Sequence, residues 1–321
     1  MQKNKADYMQ MYISMKRIRM VEDAIAEKYK ERDMHTPIHL CSGQEAIAVG
    51  TSVHMQKNDA VFSNHRSHGH YLAKGGNLKR LIAELYNKQT GCCKGRGGSM
   101  HLYDEDITFE LTSSIVAGNI SVATGWAFAE TIKKSKNVAI AYLGDAASEE
   151  GNVYESICFA ALKKIPIVYV CENNLYSICT PLEKREPRTN ITDKFSNILE
   201  TAIIDGNSIF EVEKTMEYSI NKARMGIGPS FVECKTYRLR DHHNVTTGVE
   251  KGYRTQQEWD NWNKRSPILL LEKDLCKNGI LNMEKIEEIE KKISFEIEEA
   301  FSFAVNSELP DEKEVYEGLW R

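Results

Sequence analysis

Two short apolar runs, Val138–Leu143 and Pro166–Cys171, constrain this chain more than any other feature. Neither alternates apolar with polar residues. Each therefore reads as a strand buried on both faces, and such strands belong to parallel sheets covered by helices. The first run ends in Gly144-Asp145 and the second in Glu172-Asn173-Asn174. Between them Gly151–Lys163 carries apolar residues at 153, 157, 160 and 161, the spacing of an amphipathic helix. A strand, a helix and a strand in that order make one crossover unit.

The same logic extends outward. Thr201–Ile204 and Ser230–Cys234 are further strand candidates, separated by a helix around Glu211–Met225. Asp7–Lys30 has apolar residues at 11, 15, 18, 25 and 29 and predicts an N-terminal helix; Gln44–Val53 and Leu78–Tyr86 predict two more. Gly91, Gly95, Gly97 and Gly98 mark a loop, and Arg240–Gly252 lacks any apolar period. Beyond about residue 255 the pattern turns helical, with Ile286, Ile289, Ile293, Ile297, Phe301 and Ala304 on one stripe. The expectation is an α/β fold, a parallel sheet flanked by helices, in a single domain spanning residues 1–321. Residues 1–35 would form an N-terminal helical arm and residues 255–321 a C-terminal helical extension.

Charge narrows the function classes. The chain has 42 Lys+Arg against 46 Asp+Glu, a net charge of −4, which argues against a nucleic-acid partner. Its apolar runs are too short to cross a bilayer, and Met1–Asp7 lacks the apolar stretch of a signal peptide, so a cytoplasmic location is expected. None of the eight cysteines forms a CxxC pair, and free thiols in a reducing compartment are expected.

Open parallel sheets bind ligands beyond the carboxyl ends of their strands. Asp145 and Asn174 stand at two such ends and suit magnesium, which takes few protein oxygens and completes its shell with phosphates. The helix opening at Gly151 would add its N-terminal dipole to a diphosphate. The other reading of Gly-Asp and Asn-Asn is turn residues at strand ends. His65, His68 and His70 form HxxHxH, which invites a zinc site; their neighbours Arg66, Ser67 and Gly69 supply no carboxylate and place a cation beside it. The glycine-rich Gly91–Ser99 lacks GxxxxGK[ST], and no GxGxxG follows a strand, so nucleotide binding is not indicated. That loop packs against either a partner or a cofactor.

Several segments together resemble a known family. Gly144-Asp145-Ala146-Ala147-Ser148-Glu149-Glu150-Gly151 followed by Glu172-Asn173-Asn174-Leu175-Tyr176 is similar to the thiamine-diphosphate signature. Gly43-Gln44-Glu45-Ala46, His65-Arg66-Ser67-His68-Gly69, Lys94–His101, Ser114-Ile115-Val116 and Thr236-Tyr237-Arg238 extend the match from about His39 to Pro267. The pattern resembles the alpha subunit of the decarboxylating component of 2-oxoacid dehydrogenases, of pyruvate, branched-chain or acetoin type.

That resemblance implies thiamine diphosphate and Mg2+ as cofactors. Asp145, the Asn174 side chain and the Tyr176 carbonyl would hold the metal. Ala146 and Ala147 would present amides to the diphosphate, with Arg66 pairing its oxygens and His65 nearby, where relatives often carry Tyr. Ser114 and Val116 would hold the aminopyrimidine ring through their backbone. His242 aligns with a loop histidine near the diphosphate and reacting carbon; His242 and His68 are the candidates for moving protons, and His39 aligns with a substrate-side histidine. Two departures stand out: Gly-Asp-Ala replaces Gly-Asp-Gly, and Asp241-His242-His243-Asn244 replaces the His-Gly-His-Ser of mitochondrial pyruvate enzymes, whose serine phosphorylation switch is therefore not expected here.

The implied reaction is decarboxylation of a 2-oxoacid, with the acyl fragment passed to the lipoyl group of an acyltransferase. Transketolase-like or acyloin-forming transfer to an aldehyde or sugar is the alternative, and a non-catalytic scaffold subunit the third reading. The family's ring-activating glutamate lies on a second α/β domain, and the 93 residues after Gly228 cannot supply one. A beta subunit carrying the pyrimidine-binding domain, in an α2β2 assembly, is therefore expected, with Gly91–Ser99 as a candidate contact.

Overall fold

The computed structural model describes residues 5–243 and 245–316. Its centre is a sheet of six strands: β1 (Ala60–Asn64), β2 (Phe109–Ser113), β3 (Ala139–Gly144), β4 (Ile167–Asn173), β7 (Glu200–Asp205) and β8 (Ser230–Lys235). Their order is β2-β1-β3-β4-β8-β7, and every neighbouring pair is parallel. A small antiparallel ribbon, β5 (Tyr176–Ser177) with β6 (Thr180–Pro181), follows β4.

The two apolar runs are central strands because both of their faces are covered. Along β3, Ile140 and Tyr142 join one core while Ala139, Ala141 and Leu143 join the other. Along β4, Val168 and Val170 divide in the same way from Ile167, Tyr169 and Cys171. This is the two-residue period of a strand carried by apolar side chains on both sides. The second core is closed by α5 (Gly118–Ile132) and α6 (Gly151–Lys163). The first is closed by α1 (Lys5–Lys28), α2 (Glu45–Ser52), α4 (Leu78–Leu85), α7 (Ile209–Arg224) and α10 (Met283–Asn306). α3 (His68–Ala73), α8 (Gln256–Lys264) and α9 (Pro267–Lys277) complete the helices. Downstream of β8 the described chain holds α8, α9 and α10 and no further strand.

Four elements depart from the sequence reading. β1, β2, α3 and α5 were not anticipated. β1 and β2 have five residues each, too short to show a period, and α5 reads GNISVATGWAFAETI, rich in small residues around Gly118 and Gly125. β4 also runs two residues further than the apolar pattern, because Glu172 and Asn173 pair with Cys234 and Lys235 of β8. The cysteines are all free: Cys41, Cys92, Cys171 and Cys234 are buried, whereas Cys276 is exposed.

The strand order sets the position of the site. From β1 the chain moves to β2 on one side and returns to β3 on the other, so a crevice opens between the carboxyl ends of β1 and β3.

Candidate active site

A cleft of about 310 Å3 fills that crevice. The end of β1 supplies Asn64, His65 and Arg66; the segment after β2 supplies Ser113 through Ala117; the end of β3 supplies Gly144 through Ala147. The end of β4 adds Glu172 and Asn174, and the loop after β8 adds Arg238 and His242. Of the residues singled out from sequence, His39, His65, Arg66, Ser114, Val116, Asp145, Ala146, Ala147, Asn174, Tyr176 and His242 all line this one cleft. They come from segments separated by up to two hundred positions. Only the sheet brings them together.

His68 is the exception, and its expected role in moving protons at the reacting centre does not fit its position. It is fully buried on α3, with Nδ1 2.7 Å from Glu22 Oε1 and Nε2 2.8 Å from Ser99 Oγ. Local geometry explains the divergence: His65 lies in the bend after β1, outside the helix that begins at His68. His70 also turns elsewhere, to Ser63 Oγ at 2.8 Å and Glu172 Oε1 at 3.2 Å, with its ring stacked on Tyr142 at 3.6 Å. HxxHxH is therefore not one ligand set. The imidazoles that do meet are His39, His65 and His242, with ring centroids 4.7–5.4 Å apart.

Asp145 is 2% exposed, and Arg185 donates to its Oδ2 while reaching Glu149 with its other terminal nitrogen. Burial pushes the Asp145 carboxyl above the usual range, against the pull of Arg185. Asn174 is held on both sides: its Nδ2 donates to Gln44 Oε1 at 3.2 Å, and its Oδ1 accepts from Arg238 Nε at 3.2 Å. Tyr176 is fixed through its hydroxyl to both oxygens of Glu258, 2.8 and 2.9 Å away. Glu172 stays below the usual carboxylate range, since the pull of His70 and neighbouring amides outweighs a burial that acts upward.

Arg66 is buried, and among the described residues its guanidinium meets backbone carbonyls alone: Nη1 donates to Leu40 O at 2.5 Å and Nη2 to His242 O at 3.1 Å. Burial, and then the Arg238 charge, bring its pKa down to about 9. Burial and the Arg66 charge likewise hold His39 and His242 down to about 2 and His65 to about 3, so the three rings are neutral near pH 7. Arg238 Nη1 and His39 Nδ1 are buried without hydrogen-bond partners among the described residues. Orphaned donors of this kind are costly unless a ligand satisfies them. Two guanidinium groups, one with its Nη1 unpaired, and three imidazoles form a seat for a multiply charged anion, and a diphosphate fits that donor set.

The glycine-rich loop is organised otherwise. The amides of Cys93 and Gly95 donate to Glu84 Oε2 at 2.8 and 2.9 Å, and those of Gly97 and Gly98 to Oε1 at 2.7 and 3.1 Å. An internal carboxylate occupies the nest that a phosphate would otherwise take. Gly43, in the Gly-Gln-Glu-Ala segment, has φ +104°, and a Cβ there would lie 2.3 Å from Tyr237 O. That close approach brings Gln44 to Asn174 and the Tyr237–Arg238 backbone to the cleft.

Sequence reasoning did not assign Glu172, Arg238 or Arg185. The first two stand inside motifs it quoted, whereas Arg185 lies in an irregular segment with no signal of its own.

A wholly parallel six-stranded sheet flanked by helices, with an anion seat and a carboxylate–amide pair at its switch point, defines the diphosphate-binding half of a thiamine-dependent enzyme. Comparison with known proteins agrees. The family described as "Dehydrogenase E1 component" matches residues 13–313. The chain is 36% identical over 307 residues to the alpha subunit of acetoin:2,6-dichlorophenolindophenol oxidoreductase of Bacillus subtilis, covering 95% of this chain and 91% of that protein. It is 32% identical over 313 residues to the pyruvate dehydrogenase E1 component subunit alpha of Rickettsia felis, covering 97% and 95%. A rat testis-specific mitochondrial form of the pyruvate enzyme's alpha subunit matches at 32% over 300 residues, 93% of this chain and 75% of that one. This chain belongs to the dehydrogenase E1 component family. It is an alpha subunit of a thiamine-diphosphate-dependent 2-oxoacid dehydrogenase, a type that works with a beta subunit.

Proposed function

We propose that this subunit holds the diphosphate and magnesium of the cofactor for decarboxylation of a small 2-oxoacid, and that the acyl fragment then passes to a lipoyl-bearing acyltransferase. The observation that carries the reading is the convergence of Asp145, Asn174, Arg66, Arg238 and three neutral imidazoles on one crevice. When bound, thiamine diphosphate supplies the carbon nucleophile and the electron sink.

The chain's own residues do the rest. Asp145 and Asn174 offer one carboxylate and one amide oxygen to the metal, with the Tyr176 carbonyl beside them. Arg66 and Arg238 take the anionic oxygens, the latter through its unpartnered Nη1. His65 and His39 crowd the same seat. His242, on an irregular segment where its backbone N–H donates to Asp241 Oδ1 at 2.7 Å, offers a neutral imidazole that hydrogen-bonds or takes a proton at the substrate oxygen. Ser114 and Val116, on the exposed rim, offer backbone to the ring half of the cofactor, whose far side belongs to the beta subunit.

The B. subtilis relative is named for acetoin, which favours a second reading in which an acyloin is the carbon donor. Both readings are separated by assaying the co-expressed α2β2 assembly with pyruvate, larger 2-oxoacids and acetoin, each with a lipoyl domain and with an aldehyde as acceptor. Acyl-lipoyl product from a 2-oxoacid supports the main reading. Product only from acetoin, or only with an aldehyde, replaces it. Full 2-oxoacid activity from the isolated chain would overturn the half-site assignment.

A further inference from the structure

The Asp145 carboxylate has a resident cation. Arg185 lies just beyond β6, in the segment that folds back over the Asp145–Glu149 turn. Its guanidinium bridges Asp145 Oδ2 and Glu149 Oε1, and its side chain is only 11% exposed. Lys194 ties the same layers together, reaching Ser148 O at 3.3 Å and Glu186 Oε1 at 2.5 Å. The two carboxylates differ in setting: Asp145 is 2% exposed on its side chain, Glu149 33%.

Magnesium demands close, near-octahedral oxygen contacts, and Arg185 already holds Oδ2 of the one carboxylate the metal would take. Two cations on one buried carboxylate repel each other strongly where solvent is scarce, whichever oxygen each one meets. We propose that Arg185 is the counter-cation of the metal-free site: it holds the Asp145 carboxylate until magnesium takes it, and metal entry drives the guanidinium off Asp145 and onto Glu149 alone. Arg185 is thus a positioning residue that sets how much magnesium the cofactor needs. The inference rests on Asp145 being a metal ligand.

The competition has a definite sign. A state stabilised only without the metal lowers apparent metal affinity by its own population. Removing Arg185 strengthens metal binding, and removing the retreat partner Glu149 weakens it.

The test uses the metal-free α2β2 assembly and reads thiamine diphosphate binding by isothermal titration and by intrinsic fluorescence, with magnesium varied at a fixed cofactor concentration. Arg185→Gln is expected to lower the half-saturating magnesium about tenfold, and Glu149→Gln to raise it severalfold. Asp145→Asn is expected to abolish the magnesium dependence. An unchanged or higher magnesium requirement in Arg185→Gln, with Asp145→Asn still abolishing the dependence, overturns the competition while leaving the metal site standing. If Asp145→Asn keeps the wild-type magnesium dependence, Asp145 is not the ligand and the inference falls with that reading. Should Arg185→Gln fail to fold, Glu149→Gln decides: no rise in the requirement overturns the proposal.

Discussion

His68 Nδ1 lies 2.7 Å from Glu22 Oε1, and neither side chain is exposed. The second Glu22 oxygen accepts the Cys41 amide at 2.6 Å, so one buried carboxylate joins α1, α3 and the irregular segment before α2. Removing one partner leaves the other buried and unpaired. His68→Ala should therefore destabilise the subunit by about 3–5 kcal/mol, read by denaturant unfolding. Folded variant should bind thiamine diphosphate as the wild type does. A fully stable variant with lost turnover would restore His68 to the reacting centre.

Glu84 should behave in the same structural way. Four amide donors converge on its carboxylate, and hydrogen bonds to a charged group contribute about 1.5–3 kcal/mol each when buried. Glu84→Ala should release the 93–98 loop, with loss of amide hydrogen-exchange protection confined to that segment and its contacts. Unchanged protection at Gly95 and Gly97 would show that the loop stands without its carboxylate.

The imidazole cluster predicts an acid-sensitive subunit. His39, His65 and His242 have folded values of about 2, 3 and 2 against an ordinary 6.5, lowered first by burial and then by Arg66. The unfolded chain therefore binds more protons below pH 6.5, and stability rises with pH in that range. As pH falls from 6.5 to 5, above the main carboxylate range, each ring removes at most about 2 kcal/mol. Thermal melts of cofactor-free protein should show this slope, and His65→Tyr should flatten it. Equal slopes in both proteins would remove His65 from the cluster.

His242→Ala should cost turnover far more than stability. The residue sits on an irregular segment anchored independently by Tyr253 to Asp241 at 2.7 Å and by Trp259 Nε1 to Leu239 O at 2.8 Å. A positioned proton-transfer group contributes about 10²–10⁴-fold, so kcat should fall by that order with the melting temperature nearly unchanged. Wild-type kcat would exclude proton transfer by this ring.

The helix Gly151–Lys163 and the strands before and after it were legible because burial on both sides of a sheet leaves a direct mark on composition and period. The Asp145 and Asn174 positions followed from the same marks, since both close an apolar run. β1 was not legible, although it carries His65 and Arg66: in Ala60–Asn64 the covering comes from neighbours distant in the chain, β2 and β3, rather than from any local pattern.

Local sequence determined the central strands β3 and β4, the helices with an apolar stripe and the residue types at their ends, because periodicity and turn chemistry act over a few residues. It also carried the motif order that marks the family. The partners of each polar group were decided only by the tertiary structure. His65 turns into the cleft while His68 finds Glu22, forty-six positions earlier, and Arg185 finds Asp145, forty positions earlier and beyond both α6 and β4. A buried charge takes whichever counter-group the packing brings within reach, since leaving it unpaired costs more than any local preference, and the packing of helices and loops on the sheet settles which groups those are.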